Sequence, residues 1–319
     1  MSLSRLWARY SSVVVVYLVA IGMFVFVSLM RPGYAGINNL KILSAQAAIL
    51  GLVALGQTIV MLTGGLDLSI PWIFTNAAFL LAALTNGSDL ALAWALPLVL
   101  GAGVLMGLFN GIGVAYVGVS PVIMTIGSNV IFQGLLVGLS GGTPGGAAPP
   151  LIGFIATETV GGISILLIIW LAIAVVASVL LSRSRFGREI YSTGSSIEAA
   201  RYSGIRVKRI TVTAYCLSGL LAALAGVLFA GRLGQLYLGM GDTYQMATVS
   251  AAAIGGVSLL GGRGRYVGAM GGVLVTVILN GVLAAMNVSQ SIQMVLNGIV
   301  LFFAVLLSSR GRSMSVAVA

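Results

Sequence analysis

The 319-residue sequence is 59% hydrophobic and only 7% charged, with 16 Lys and Arg against 6 Asp and Glu and a formal net charge of +10. Soluble globular domains carry about a quarter charged residues, so a water-soluble fold is excluded. A nucleic-acid binder is excluded too, because the cations lie between apolar runs instead of clustering with aromatics on one face.

The first apolar run, 11–30 ("SSVVVVYLVAIGMFVFVSLM"), is longer than a signal-peptide core and no A-x-A-like cleavage site follows it, so it reads as a membrane span. Further spans are predicted near 42–62, 72–86, 91–117, 122–140, 162–182, 210–231, 245–261, 266–285 and 290–309. Each recurring apolar run calls for a helix, since lipid offers no partner to an unpaired backbone group. The expected fold is therefore one all-α polytopic membrane domain, 1–319, of about ten transmembrane helices.

The second run carries Gln57 and Thr58. Segment 63–90, with Gly64, Gly65, Asp67 and Pro71, reads as a broken or re-entrant helix pair. A carboxylate within a membrane is costly and by default marks a functional site. Asp67 with Ser69 and Pro71 equally reads as a cap on the next helix, and the two readings stand side by side. Asp242 is either its counterpart in the second half or a solvated loop residue.

Asn76, Asn110, Gln133, Asn280 and Gln293 also fall within predicted spans. With Gln57 and Thr58 they either line a path for a polyhydroxylated solute or join helices by hydrogen bonds. The 44 glycines suit close helix packing of the small-xxx-small kind. "SGGTPGGAAPP" at 140–150 reads as a flexible connection, either touched by a delivery protein or a plain linker.

Ten crossings put both termini on one side, and Arg5, Arg9, Arg310 and Arg312 make that side cytoplasmic. The 183–209 loop, with seven basic residues, and Arg263 and Arg265 then lie inside as well. Arg31, Lys41 and Arg232 are the three exceptions. "GVLMGLFNGIGVAYVGVS" at 103–120 echoes "GVLVTVILNGVLAAMNVS" at 272–289, running in the opposite direction across the membrane, as an inverted-topology repeat requires.

Within the basic loop, Ser195 and Glu198 form an S-x-x-E capping box, and Gly204 supplies the left-handed residue that ends a helix. Together they predict a short helix from Ser196 to Ser203. A helix this short is marginal alone, so it leans on the membrane surface or on a docked protein. There is no histidine, the one cysteine is Cys216 within an apolar run, and no G-x-x-x-x-G-K-[ST] pattern occurs. The chain thus has no metal-ligand cluster and no P-loop of its own.

The stretch "GREIYSTGSSIEAARYSGIRVKRI" resembles the coupling loop of bacterial ABC-importer permeases in the ribose and branched-chain amino acid permease family. "LTGGLDLSI" at 62–70 is similar to that family's GGIDLS signature, and "IGGVSLLGGRG" at 254–264 to its GG-[ST]-x-L-x-GG-x-G stretch. "LSGLLAALAGVLFAGRLG" at 217–234 resembles the span between them. The resemblance implies a ten-span fold like that of the cobalamin importers and a permease dimer on paired ATPases. ATP and magnesium would then be bound by those partner chains, and an extracytoplasmic binding protein would deliver the solute.

It further implies that Gly194, Ser195, Glu198, Ala199, Ala200, Arg201 and Gly204 couple this chain to the ATPase. Ser195 and Glu198 would build the helix and the two alanines admit the partner closely. Arg201 would either pair with an acidic group or face lipid headgroups. Asp67, Gln57, Thr58, Asn76, Asn110 and Asn280 are the candidates for the path or its gate. Tyr244-Gln245-Met246-Ala247 departs from the family's acidic Tyr-Glu-Leu-Asp stretch, which suits a non-identical permease partner. The expected activity is sugar or polyol import without enzymatic chemistry in this chain. The rivals are a permease for branched-chain amino acids or another small metabolite, and an ion-coupled secondary transporter.

Overall fold

The computed structural model describes residues 3–31, 33–143, 145–289, 291–293, 295–299 and 302, with side chains from residue 13 onward. Its helices are α1 (Leu3–Met30), α2 (Ile37–Leu62), α3 (Ile70–Thr85), α4 (Asp89–Ile112), α5 (Pro121–Ser140), α6 (Pro150–Thr157), α7 (Ile165–Arg183), α8 (Arg185–Ser195), α9 (Ile197–Tyr202), α10 (Val207–Leu233), α11 (Asp242–Ile254) and α12 (Tyr266–Ala285). A π turn, Gly113–Val117, extends α4, and a two-residue hairpin pairs Thr159 with Ser164 and Val160 with Ile163. The chain is an all-α membrane protein.

Among the described residues, seven helices are long and apolar enough to cross a membrane. Two predicted spans are corrected. The one at 72–86 is α3, of 16 residues, and the one at 245–261 is α11, of 13 residues, after which 255–265 is not helical. At about 1.5 Å per residue neither reaches the roughly 30 Å of a hydrocarbon core. The expected break in 63–90 is present, since 63–69 is irregular and feeds the start of α3. Most of the span expected at 290–309 lies outside the described residues.

Burial sorts the helices. The apolar window of α2 is 94% buried and that of α10 is 61% buried, whereas α5 and α7 each reach 22% and α1 only 11%. The central elements are therefore α2 and α10, and the outer helices turn their apolar faces toward lipid, as a chain in hydrocarbon can. Small residues make the central contacts. Along α4, Gly103, Gly107 and Gly111 lie on Gly219, Tyr215 and Val212 of α10, so that a Cβ at Gly111 would come 2.8 Å from the Val212 Cα. Gly56 of α2 meets Ser218 of α10 in the same way. Such close backbone approach gives van der Waals contact where lipid supplies no hydrophobic drive.

Trp170 of α7 lies over Gly51 of α2, and its indole N–H donates to the Tyr266 hydroxyl at 2.8 Å. That hydroxyl donates in turn to the Gly51 carbonyl at 2.7 Å, so three helices close around one satisfied polar chain.

Within the 140–150 connection, residues 146 and 147 are tied to the end of α3 and the turn after it. Gly146 is lodged against the Ala82 carbonyl, and the Ala147 carbonyl accepts from the Gly87 amide at 2.8 Å. The Asp89 carboxylate then accepts the Leu151 amide at 2.9 Å, fixing the first turn of α6. Gly146 serves close packing here, whereas Gly141 and Gly145 have open space around them.

Candidate functional site

Three segments far apart in sequence meet at the end of the bundle that carries the basic 183–209 loop. The α2 C-terminus ends at Leu62, whose carbonyl accepts the Gly262 amide at 3.0 Å. Gly194, near the end of α8, is pressed against the same carbonyl, so a methyl group there would collide with it. A Cβ on Gly261 would lie 2.8 Å from both the Gly194 carbonyl and the Gly64 Cα. Tyr191 of α8 also donates to the Gly264 carbonyl at 2.9 Å. Burial raises the Tyr191 phenol above its ordinary value, with Arg265 opposing, so it stays a donor.

Helix α8 itself is absent from the sequence reading. Ser184 caps it by accepting the Gly187 amide at 3.0 Å, and its inward face carries Gly187, Ile190 and Thr193. The i, i+3, i+6 spacing of that face and the serine before it were the available signals.

The predicted short helix is α9, with one correction. Its N-cap is Ser196, whose hydroxyl accepts the Ala199 amide at 3.2 Å, and not Ser195. Ser195 closes α8 and donates to the Tyr191 carbonyl at 2.8 Å. The serine pair offers two registers, and the end of α8 at Gly194 and Ser195 selects the later one. Glu198 consequently sits in the first turn, where a negative charge is favoured by the helix dipole.

Gly204 ends α9 as expected, at φ +77°. The Ile205 amide bonds the Ala200 carbonyl at 3.0 Å and the Gly204 amide the Arg201 carbonyl at 2.9 Å, which is a Schellman closure. Ala199 and Arg201 are exposed, whereas Ala200 is 2% exposed and faces its own chain. Ala200 is thus no docking contact. Exposed Ile197 and Tyr202, at 50% and 93%, present the apolar surface of α9, which the capping pattern alone does not reveal. Arg201 lines an open 490 Å³ recess with Tyr116, Arg206, Lys208 and Arg209, and the Lys208 ammonium lies 4.9 Å from the Tyr116 ring centroid.

Directly beyond Leu62, residues 63–69 run into the bundle and are held on every side. The Asp67 carboxylate, 1% exposed, accepts the Ser69 hydroxyl at 2.6 Å and amide at 3.1 Å, and on its other oxygen the Ser218 hydroxyl of α10 at 2.7 Å. Asn110 of α4 donates to the Ser69 hydroxyl at 2.7 Å. Tyr215 of α10 donates to the Leu66 carbonyl at 3.2 Å, and Gln245 of α11 to the Leu68 carbonyl at 2.9 Å. Asp67 therefore organises the turn before α3 and ties it to α10 through Ser218, while no cation pairs with it among the described residues. A buried carboxylate without a cation needs such donors.

The starts of α3 and α11 touch. Gly241 lies against the Pro71 carbonyl, and the Phe74 and Tyr244 rings are 4.9 Å apart. Asp242 opens α11 as Asp67 precedes α3.

The remaining polar candidates separate. Gln57 and Thr58 are fully buried in α2 and their side-chain polar atoms have no protein partner among the described residues. Asn76 ties α3 to α5 by donating to the Trp72 and Phe132 carbonyls at 2.6 and 3.1 Å. Asn280 accepts from Asn297 at 3.3 Å and lines a 410 Å³ cavity with Tyr244 and Gln293, remote from Asn110. Gln133 is exposed on α5.

Residues 39–305 match the family described as "Branched-chain amino acid transport system / permease component". The chain is 36% identical over 301 residues to the ribose import permease protein RbsC of Bacillus subtilis, covering 91% of each. It is 34% identical over 269 residues to the autoinducer 2 import system permease protein LsrC of Escherichia coli, covering 83% of this chain and 78% of that one. The Salmonella typhi protein of the same name is 32% identical over 267 residues, with 83% and 76% covered. No solved structure matches.

Proposed function

The chain belongs to the family of branched-chain amino acid transport system permease components, and on that premise we propose that it is the membrane-spanning subunit of an ABC importer that brings a sugar or related polyol across a bacterial inner membrane. The observation that carries this reading is the junction of Leu62, Gly194 and Gly262. It joins the three segments that resemble the family's motifs, directly behind a capped, exposed short helix. A sugar is favoured over an amino acid because the relatives named above are a ribose permease and an autoinducer 2 permease.

In this reading the basic end is cytoplasmic, in keeping with retention of Lys and Arg inside. Helix α9 seats in a separate ATPase, which binds ATP and magnesium. Motion of α9 and α8 then bears on the α2 C-terminus and on 261–264 together, because Gly194 leaves no slack between them. The 63–69 segment passes that displacement to the starts of α3 and α11. Bistable packed elements of this kind are what alternate access requires.

The short α3 and α11, with their starts in contact, support an inverted repeat like that of the cobalamin importers. A second permease and an extracytoplasmic solute-binding protein complete the assembly.

Affinity purification of the chain at native expression, followed by mass spectrometry, tests the reading. An ATPase subunit is expected with the wild type and is lost from the Glu198→Ala, Gly204→Val double variant at matched membrane levels. Recovery of the chain alone under mild detergent, together with ion-driven uptake, would replace this reading with a secondary transporter.

A further inference from the structure

The three cations that break the charge bias part company in the structure. Arg31 has a structural role, since its guanidinium donates to the Ala285 carbonyl at the end of α12. The side chains of Lys41, in the first turns of α2, and Arg232, in the last turn of α10, have no hydrogen-bond or ion-pair partner among the described residues. They nevertheless line one 270 Å³ cavity, together with Asn38, Thr157, Thr159 and Ser164. Glu158, between the two threonines, is exposed and pairs with neither cation. Two half-buried cations, three hydroxyls from α6 and its hairpin, and an amide form a donor set suited to a carboxylate or phosphate.

Arg232 also lines the neighbouring 410 Å³ cavity, whose polar groups come from Gln46, Thr243, Tyr244, Asn280, Gln293 and Asn297. That second cavity offers neutral donors and acceptors at about the scale of a small polar solute. One side chain therefore joins a neutral polar chamber to a cationic one, both at the end of the bundle opposite the basic loop.

We propose that these two chambers form a single bipartite site for a sugar that carries an anionic group, with the hydroxylated body in the larger chamber and the carboxylate or phosphate between Lys41 and Arg232. The proposal rests on the importer reading and narrows its substrate class to acidic sugars. It also accounts for two cations held where the charge bias disfavours them.

The test uses the permease–ATPase complex in nanodiscs of phosphatidylcholine, with D-gluconate as the acidic probe and D-glucose as its neutral counterpart, followed by saturation-transfer NMR. Gluconate is expected to bind about tenfold more tightly than glucose at low salt, with the gap narrowing as salt rises. Lys41→Gln and Arg232→Gln should remove the preference, and Arg232→Lys should retain most of it.

Equal binding of the two probes by the wild type would overturn the proposal. So would variants that keep the gluconate preference but lose capture of the solute-binding protein, because the cations would then serve that protein's carboxylates. ATP hydrolysis in the same nanodiscs separates the two levels. If hydrolysis is present and the preference absent, this inference alone fails. If no ATPase accompanies the chain, the importer reading fails with it.

Discussion

The amide of Gly262 donates to the carbonyl of Leu62 at 3.0 Å, and Gly194 packs against that same carbonyl oxygen. A helix C-terminus leaves its last carbonyls without intrahelical partners. Here one is satisfied by a turn from the other half of the chain and overlaid by the end of the basic loop's first helix. The three segments are consequently neighbours in van der Waals contact.

Gly194→Val should abolish uptake while the chain still inserts. The added side chain meets backbone atoms of Leu62 and Gly262, which cannot rotate away, and overpacking of this kind costs about 1–3 kcal/mol. Uptake assays and thermal unfolding of the detergent-solubilised protein check it. Wild-type uptake at an unchanged unfolding temperature would show that the junction has slack.

Ser196→Ala and Ser195→Ala should differ. The first removes the cap on the Ala199 amide and should destabilise α9 by about 0.5–2 kcal/mol. The second removes only a bond to the Tyr191 carbonyl at the end of α8. Hydrogen exchange over 199–203 should rise in the first variant alone, and ATPase recovery should fall with it. A larger effect from Ser195→Ala would restore the earlier register.

Asp67→Asn should keep the fold within about 1 kcal/mol, since one oxygen still accepts from Ser69 and the Ser218 hydroxyl can reverse to accept. Asp67→Ala strands the Ser69 amide and two hydroxyls in a buried site and should cost about 2–4 kcal/mol. Thermal unfolding of both variants gives the comparison. Loss of uptake in a fully stable Asp67→Asn would assign the charge itself a part in the transport cycle.

Gly107→Leu should prevent accumulation of folded protein in the membrane, because the side chain would be driven into the Tyr215 backbone of α10. Gly101→Leu, two turns away on the same helix with open space at its Cα, should accumulate normally. Fluorescence-detected size exclusion separates the two results. Equal accumulation would mean that α4 and α10 can pack without the glycine seam.

Several features of the site are legible from residue chemistry alone. Gly204 ends α9 because only a residue tolerant of positive φ closes a Schellman turn cheaply, and glycine announces that position in any context. The break at 63–69 is legible for a similar reason, as Gly64, Gly65 and Pro71 interrupt an otherwise helical run. The cap lies one residue later than the S-x-x-E pattern places it, because Ser195 and Ser196 are equivalent as sequence and the choice depends on where α8 stops. Ala200 suits a docking face as sequence because small residues permit close approach in either direction, and only burial reveals which one is used.

By itself the sequence determined the solvent: with 7% charged residues and repeated long apolar runs, the backbone has to satisfy its own hydrogen bonds in lipid, which commits the chain to helices. It also determined which end is basic and where the chain breaks. Only the tertiary structure decided which apolar helices are central, since lipid and protein interior are alike to a leucine and hydropathy cannot rank α2 above α1. The same holds for the polar groups. Asp67 finds Ser218, and Lys41 and Arg232 come to line one cavity, through packing between helices distant in sequence, a relation that no local pattern of residues encodes.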